Sequence, residues 1–232
     1  MELAINIILL LIGISILVWG ANKFVDHASV IAKHMGISDL VIGLTLIAFG
    51  TSAPEIFVGI SSIINQNEEI ALGTAIGSNI SNIALIFGVS CLYLTGPSKT
   101  QLWNFIPFGL SVVLLGLTLV DGKISFNESM GFVGILMIFM FVLFKTDGLA
   151  EEDSVDSSEF GRSLFVSLIG LVALIAGANI AVVYAENTAL LLGVPQLLIG
   201  LTIIALGTSL PELAATIVAL RKGRHQMVVG NI

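Results

Sequence analysis

The sequence predicts an all-α polytopic membrane protein built as an inverted repeat, with five-helix halves, broken helices and a truncated second half. Three observations predict it: more apolar surface than one soluble core can hide, apolar stretches of membrane-spanning length, and a motif-bearing segment that returns in register 157 residues later.

Of the 232 residues, 56% are hydrophobic and 11% charged, and the mean hydropathy is +1.05. So few charges cannot cover so much apolar surface in water, which places the chain in a bilayer. Stretches of about 20 apolar residues cross a hydrocarbon core of roughly 30 Å as helices. Seven complete spans are expected, over residues 3–26, 38–64, 70–95, 102–120, 126–145, 161–185 and 196–220, with an eighth beginning near Met227. The first is expected to be a retained helix. Glu2 and no basic residue precedes its apolar run, and no small-residue cleavage site follows it.

The first half is expected over residues 1–145 and the second, partial, over 161–232, joined by an acidic linker at 146–160. Much of the net charge of −7 falls on Glu151, Glu152, Asp153, Asp156 and Glu159, interspersed with serines, which reads as a solvated loop. Lys123 stands alone on the side of the N-terminus, whereas Lys23, Lys33, Lys99, Lys145, Arg162, Arg221, Lys222 and Arg224 share the other face. The positive-inside rule then puts the N-terminus outside and the linker in the cytoplasm, in a plasma (inner) membrane. Trp19, Tyr93, Trp103 and Tyr184 lie near predicted span ends, where amphipathic rings favour the interface.

Cys91 is the single cysteine; it excludes an intramolecular disulfide or a Cys-rich zinc site, and a packing role is expected for it. His27, His34 and His225 fall beside basic residues near the cytoplasmic face and are expected to be solvated or interfacial. No nucleophile, base and orienter can be assembled, so the reading is not an enzyme. Neither a cofactor nor a nucleic-acid partner is expected.

The repeat is visible without gaps. Gly20, Ala21 and Asn22 return as Gly177, Ala178 and Asn179, and the stretch Gly43 to Glu55 returns as Gly200 to Glu212. Apolar helices share leucines by chance, but not Gly, Thr, Ser, Pro and Glu in register. Five spans, an odd number, separate corresponding positions, so the second copy enters the membrane from the opposite side. Inverted repeats with interrupted helices characterise secondary transporters, whose site lies near the midplane between the copies.

The matched core is Gly50-Thr51-Ser52-Ala53-Pro54-Glu55 and Gly207-Thr208-Ser209-Leu210-Pro211-Glu212, each near the middle of a span. Pro54 lacks an N–H and clashes with the preceding turn, so the helix is expected to break there and free carbonyls such as that of Ala48. Hydroxyls of Thr51 and Ser52, freed carbonyls and the Glu55 carboxylate make an all-oxygen set suited to hard cations such as Ca2+ and Na+. The second copy supplies Ala205, Thr208, Ser209 and Glu212. The plainer alternative is that Ser52-x-x-Glu55 and Ser209-x-x-Glu212 are capping boxes. A mid-membrane carboxylate costs roughly 2.5–3.5 kcal/mol on insertion scales, and two at symmetric depth need a common reason. A shared divalent ion provides one.

A third element, Gly73-Thr74-Ala75-Ile76-Gly77-Ser78-Asn79-Ile80-Ser81-Asn82, carries Gly73 and Gly77 at the spacing of close helix approach. Ser78 and Asn82 share a helix face and are expected to present two more oxygens; interhelical hydrogen bonding is the alternative.

With both Gly-Thr-Ser-x-Pro-Glu copies and Gly-Ser-Asn-Ile-Ser-Asn, the sequence resembles the Ca2+/cation antiporter superfamily, specifically the prokaryotic Na+/Ca2+ exchangers. The resemblance implies ten helices in two inverted halves, with ions held by the second, third, seventh and eighth. It implies that Ala48, Thr51, Ser52, Glu55, Ser78, Asn82, Ala205, Thr208, Ser209 and Glu212 line the site. It also implies that the first and sixth helices slide to alternate access. One departure stands out: the repeat maps Gly73 onto Gly230, and Ile232 comes before any counterparts of Ser78 and Asn82. A fragment is therefore expected, or a short protein that completes its site by association with another fragment.

The function expected is exchange of Ca2+ for Na+ by alternating access, the two ions competing for overlapping oxygen sites. Calcium/proton exchange, with Glu55 and Glu212 taking protons as calcium leaves, is the close alternative. A K+-dependent antiporter, a cation channel and a non-transporting fragment are the others. Proton antiporters of the superfamily typically carry Gly-Asn-x-x-Glu instead, which favours Na+.

Overall fold

A computed structural model of the chain describes residues 2–64, 68–92, 106–118, 120, 125–146, 157–195 and 205–231. Every element among them is helical. The first helix, α1 (Glu2–His34), and the sixth span, α9 (Ser157–Leu191), are both longer than the expected 3–26 and 161–185. Polar residues past the apolar stretch stay helical. Acidic Glu2 and Glu159 sit in the first turns and Lys33 and His34 in the last turn of α1, each complementing the helix dipole.

Each of these helices is ended by a glycine at positive φ, Gly36 at 61° and Gly193 at 78°. Behind them the Ile37 N–H bonds Ala32 O at 3.0 Å and the Val194 N–H bonds Ala189 O at 3.0 Å, closing the same C-terminal motif twice. Gly36 and Gly193 are themselves 157 residues apart, so the repeat extends to the helix stops.

The second span breaks as the motif requires. Ser38 caps a short helix, α2 (Asp39–Ile42), through a bond from the Val41 N–H to its hydroxyl at 3.2 Å. A π-helical turn (Gly43–Ile47) follows, then α3 (Ala48–Thr51) and α4 (Ala53–Ile64). The two arms, Asp39–Thr51 and Ala53–Ile60, meet at 48°. The third span comprises α5 (Glu68–Ser81), a second π-helical turn (Asn82–Phe87) and α6 (Gly88–Cys91). α7 (Ile106–Thr118) and α8 (Phe126–Thr146) pack as a hairpin. The seventh span reads α10 (Ala205–Gly207), a break, and α11 (Leu210–Arg221), and α12 (His225–Asn231) follows.

Glu2–His34, Phe126–Lys145 and Glu159–Leu191 are each long and apolar enough to cross a membrane, and the bent second span makes a fourth. Their outward faces are apolar, with Leu11 58% and Val172 67% exposed, the pattern of surface that lipid covers. The buried centre joins α1, α9, the second span, α11 and α12 through Phe24, Ile47, Leu174, Ala215, Val218 and Met227.

α1 and α9 run antiparallel along a seam of four glycines. Gly13 approaches Ala181, with a Cβ there 2.7 Å from its backbone nitrogen, and Gly170 approaches Phe24 at the same 2.7 Å. Gly20 and Gly177 abut Leu174 and Leu17 backbone. Gly13 and Gly170, like Gly20 and Gly177, are repeat partners, so the seam is itself symmetric. Small residues let the two backbones touch where a side chain would hold them apart.

Two surface expectations need correction, those for Cys91 and for the start of the helix that follows the linker. Cys91 is exposed at the end of α6 and not packed among the described residues. His27 Nδ1 lies 3.1 Å from Ser163 Oγ, and His34 stacks on Phe160 with centroids 4.6 Å apart, both partly exposed beside α9. α9 begins at Ser157, inside the stretch expected as linker. Tyr93, Lys99, Trp103, Lys123, Glu151, Glu152, Asp153 and Asp156 lie outside the described residues, as does the repeat segment 200–204.

Candidate ion-binding site

Both copies of the motif turn the backbone in the same way. Ser52 has φ −82° and ψ 6°, and Ser209 has φ −89° and ψ 6°, each ending one helical segment and starting the next. Pro211 stands in the first turn of α11, where its missing N–H costs nothing. Pro54 has no N–H to give Gly50, so the carbonyl deprived of its usual donor is Gly50's, which accepts from a backbone N–H at the helix end instead. That corrects the expectation for Ala48, whose carbonyl accepts from the Ser52 N–H at 3.0 Å. A carbonyl has a second lone pair, so Ala48 keeps accepting capacity.

Burial concentrates on this point. Thr51 and Ser209 are 0% exposed, Glu212 2% and Asn231 4%. Ser52 Oγ donates to Glu212 Oε1 at 3.1 Å, a bond that joins the first motif to the second. The capping-box alternative fails on other grounds, because neither Glu55 oxygen bonds back to the Ser52 N–H, which goes to Ala48 O, and Ser209 makes no side-chain cap. The capping box the fold does contain is elsewhere: Ser125 N–H and Oγ both donate to Glu128 Oε2 at 2.7 Å, with the Glu128 N–H returning to Ser125 Oγ at 3.3 Å.

Several buried oxygens at the break meet no hydrogen-bond donor among the described residues: both carboxylate oxygens of Glu55, Oε2 of Glu212, Oδ1 of Asn82 and Oγ of Ser209. α11, which carries Glu212, packs against both α3 and the π-helical turn that begins at Asn82. Glu55 and Glu212 are close enough to feel each other's charge. Two carboxylates buried together repel, and a bare buried carboxylate loses its hydration without compensation. A cation would answer both demands, and an all-oxygen donor set would suit a hard one.

Of the residues expected at the site, Thr51, Ser52, Glu55, Asn82, Ser209 and Glu212 have the burial or bonds described. Thr208 lies in the turn between α10 and α11, and Ala205 opens α10. The Ser78 hydroxyl donates within its own helix to Ala75 O at 3.2 Å, so its proton is not free for a cross-helix bond.

Sequence reasoning missed Asn231. Its Nδ2 donates to Glu212 O at 3.1 Å and to Thr216 Oγ1 at 2.9 Å, and its Oδ1 accepts from Thr51 Oγ1 at 3.3 Å. The repeat gave no signal for it, since the 157-residue offset pairs it with Thr74. The usable signal was an Asn in an apolar run directly after the glycine that matches Gly73.

The family model described as "Sodium/calcium exchanger protein" matches residues 5–145 and 162–232, nearly the whole chain. Inner membrane protein YrbG of Escherichia coli (strain K12) is 34% identical over 238 residues, covering 97% of this chain and 73% of that protein. Sodium/calcium exchanger MaX1 of Methanosarcina acetivorans is 32% identical over 282 residues, covering 99% of this chain and 79% of the relative. Among solved structures, the sodium-calcium exchanger NCX_Mj soaked with 10 mM Na+ and zero Ca2+ superposes with a TM-score of 0.82 at 29% identity, over 99% of this chain and 77% of that one. The chain thus spans about three quarters of the length of these relatives.

Proposed function

From the premise that the chain belongs to the sodium/calcium exchanger protein family, and is therefore a membrane transporter and not an enzyme, we propose that it exchanges Ca2+ for Na+ at the Glu55–Glu212 site. The observation that carries this reading is the Ser52–Glu212 bond, which brings the two motif copies to one place beside the donorless carboxylate of Glu55. Two carboxylates match one divalent ion in charge, and the neutral oxygens of Thr51, Ser52, Asn82, Ser209 and the broken backbone complete a hard coordination shell. Na+ suits the same oxygens. Occupancy by one ion then excludes the other, and that competition couples the two fluxes. Ala48, Ser78, Ala205 and Thr208 belong to the proposed lining on the strength of the motif match.

The relatives MaX1 and NCX_Mj carry the sodium/calcium exchanger name, which supports the choice of Na+. YrbG is named an inner membrane protein, which supports that location here. The proposed orientation has the N-terminus outside. In keeping with it, Lys222 pairs with Asp26 at 2.5 Å and Arg224 with Asp39 at 3.1 Å, gathering the ends of α1, α2 and α11 on one face with their basic residues.

The test is Ca2+ uptake into proteoliposomes. An outward Na+ gradient should drive it with no pH gradient present, and uptake driven only by a pH gradient would overturn the Na+ coupling. Adding K+ to both sides separates a K+-dependent exchanger.

A further inference from the structure

We propose that Asn231 is a positioning residue for cation binding, holding the hydroxyl of Thr51 and the start of α11 in the geometry the ion needs. This rests on the reading of the Glu55–Glu212 site as the cation site. The orientation of the amide follows from chemistry. Glu212 O only accepts, so the end of the amide facing it at 3.1 Å is Nδ2, which also reaches Thr216 Oγ1 at 2.9 Å. Oδ1 therefore faces Thr51, toward which it can only accept.

Thr51 has one hydroxyl proton and several acceptors in reach: Ile47 O, the nearest, at 3.0 Å, Ala48 O at 3.3 Å, Asn231 Oδ1 at 3.3 Å and the Glu212 carboxylate beside it. Asn231 Oδ1 competes with the helix carbonyls for that proton, at the same distance as Ala48 O. When the proton lies on Asn231, the Ala48 carbonyl, in the proposed lining, is left to a cation. Without Asn231 the proton keeps to Ile47 or Ala48, the ordinary habit of a helical threonine.

The amide also ties the two repeats together, since Thr51 belongs to the first motif and Glu212 to the second. Its seat is rigid. A Cβ on Gly230 would stand 2.6 Å from Leu44 N and 2.7 Å from Leu40 O, and one on Gly43 would stand 2.6 Å from Met227 O. α12 thus touches the second span backbone to backbone, and Asn231 cannot drift toward one partner at the expense of another.

The experiment is a double-mutant cycle between Asn231→Ala and Thr51→Val in the purified full-length protein, read as Ca2+ affinity by calorimetric titration. Asn231→Ala should weaken Ca2+ binding roughly three- to tenfold, the worth of one buried hydrogen bond. In the Thr51→Val background the same change should weaken it by less than about twofold. Asn231→Ser, too short to reach both partners, repeats the cycle should the alanine variant fold poorly. Equal effects in the two backgrounds would overturn the proposal, as would unchanged affinity in variants that merely yield less protein. Because the readout is Ca2+ binding, it is independent of which ion couples to transport. Absence of Ca2+ binding by the wild type would sink the site, whereas binding without Na+-driven uptake would sink only the Na+ coupling.

Discussion

Ser52 Oγ donates to Glu212 Oε1 at 3.1 Å across 160 residues of sequence, so the serine of one motif copy orients the carboxylate of the other. No bond is seen in the reverse sense, from Ser209 to Glu55: Ser209 Oγ and both Glu55 oxygens are buried without a hydrogen-bond partner among the described residues. The two carboxylates are thus held differently. Glu212 is held through Oε1, whereas Glu55 meets no hydrogen-bond donor among the described residues.

Ser52→Ala should therefore cost more than Ser209→Ala in the absence of cations. Removing the Ser52 hydroxyl strips a buried carboxylate of a donor, a loss of about 1.5–3 kcal/mol for a bond to a charged group. Ser209→Ala removes a hydroxyl that has no hydrogen-bond partner among the described residues. Thermal unfolding in cation-free detergent solution should place Ser52→Ala several degrees below wild type, with Ser209→Ala near it. Equal melting points would refute the asymmetry.

Glu55→Gln and Glu212→Gln should each abolish Na+-driven Ca2+ uptake while leaving the protein folded, because each removes a ligand charge with little change of shape. Stability carries the opposite sign. Without cations, Glu55→Gln relieves repulsion between two buried carboxylates and should melt no lower than wild type. Ca2+ should raise the wild-type melting point by mass action and leave that of Glu55→Gln in place. Retained exchange in both variants would remove the carboxylates from the site.

What the sequence made legible was whatever depends on local chemistry. Apolar length marked the spans, and Pro54 and Pro211 marked the breaks. Apolarity was a poor guide to where α1 and α9 stop, because Lys33 and His34 continue α1 and Glu186 and Asn187 continue α9; Gly36 and Gly193 were the stop signals. The π-helical turns at Gly43–Ile47 and Asn82–Phe87 are register adjustments beside the site that no residue type announces. At the site itself, residue types gave the oxygen set but not its wiring. The partner of Ser52 lies in the other repeat, and Asn231 breaks the repeat that located the rest.

The two ends of α8 offer a direct check of orientation. In a Cys91→Ser background, a cysteine at Asn127 should react with a membrane-impermeant maleimide added to intact cells. One at Lys145, exposed at the opposite end of the same helix, should react only after permeabilisation. The reverse pattern would invert the topology.

The glycine seam between α1 and α9 sets two effects of opposite sign against each other. Inside a helix, Gly to Ala gains about 1 kcal/mol of propensity. At Gly116, where a Cβ meets nothing within 4 Å, only that gain operates, and Gly116→Ala should melt at or slightly above wild type. At Gly20 and Gly177 the new methyl would overlap the backbone of Leu174 and Leu17, atoms that cannot rotate aside. Overpacking of that kind costs about 1–3 kcal/mol and outweighs the propensity gain. Gly20→Ala and Gly177→Ala should each lower the melting point by a few degrees, and by similar amounts because they are repeat partners on one seam. If either melts with Gly116→Ala, the helices do not meet there as closely as four glycines allow.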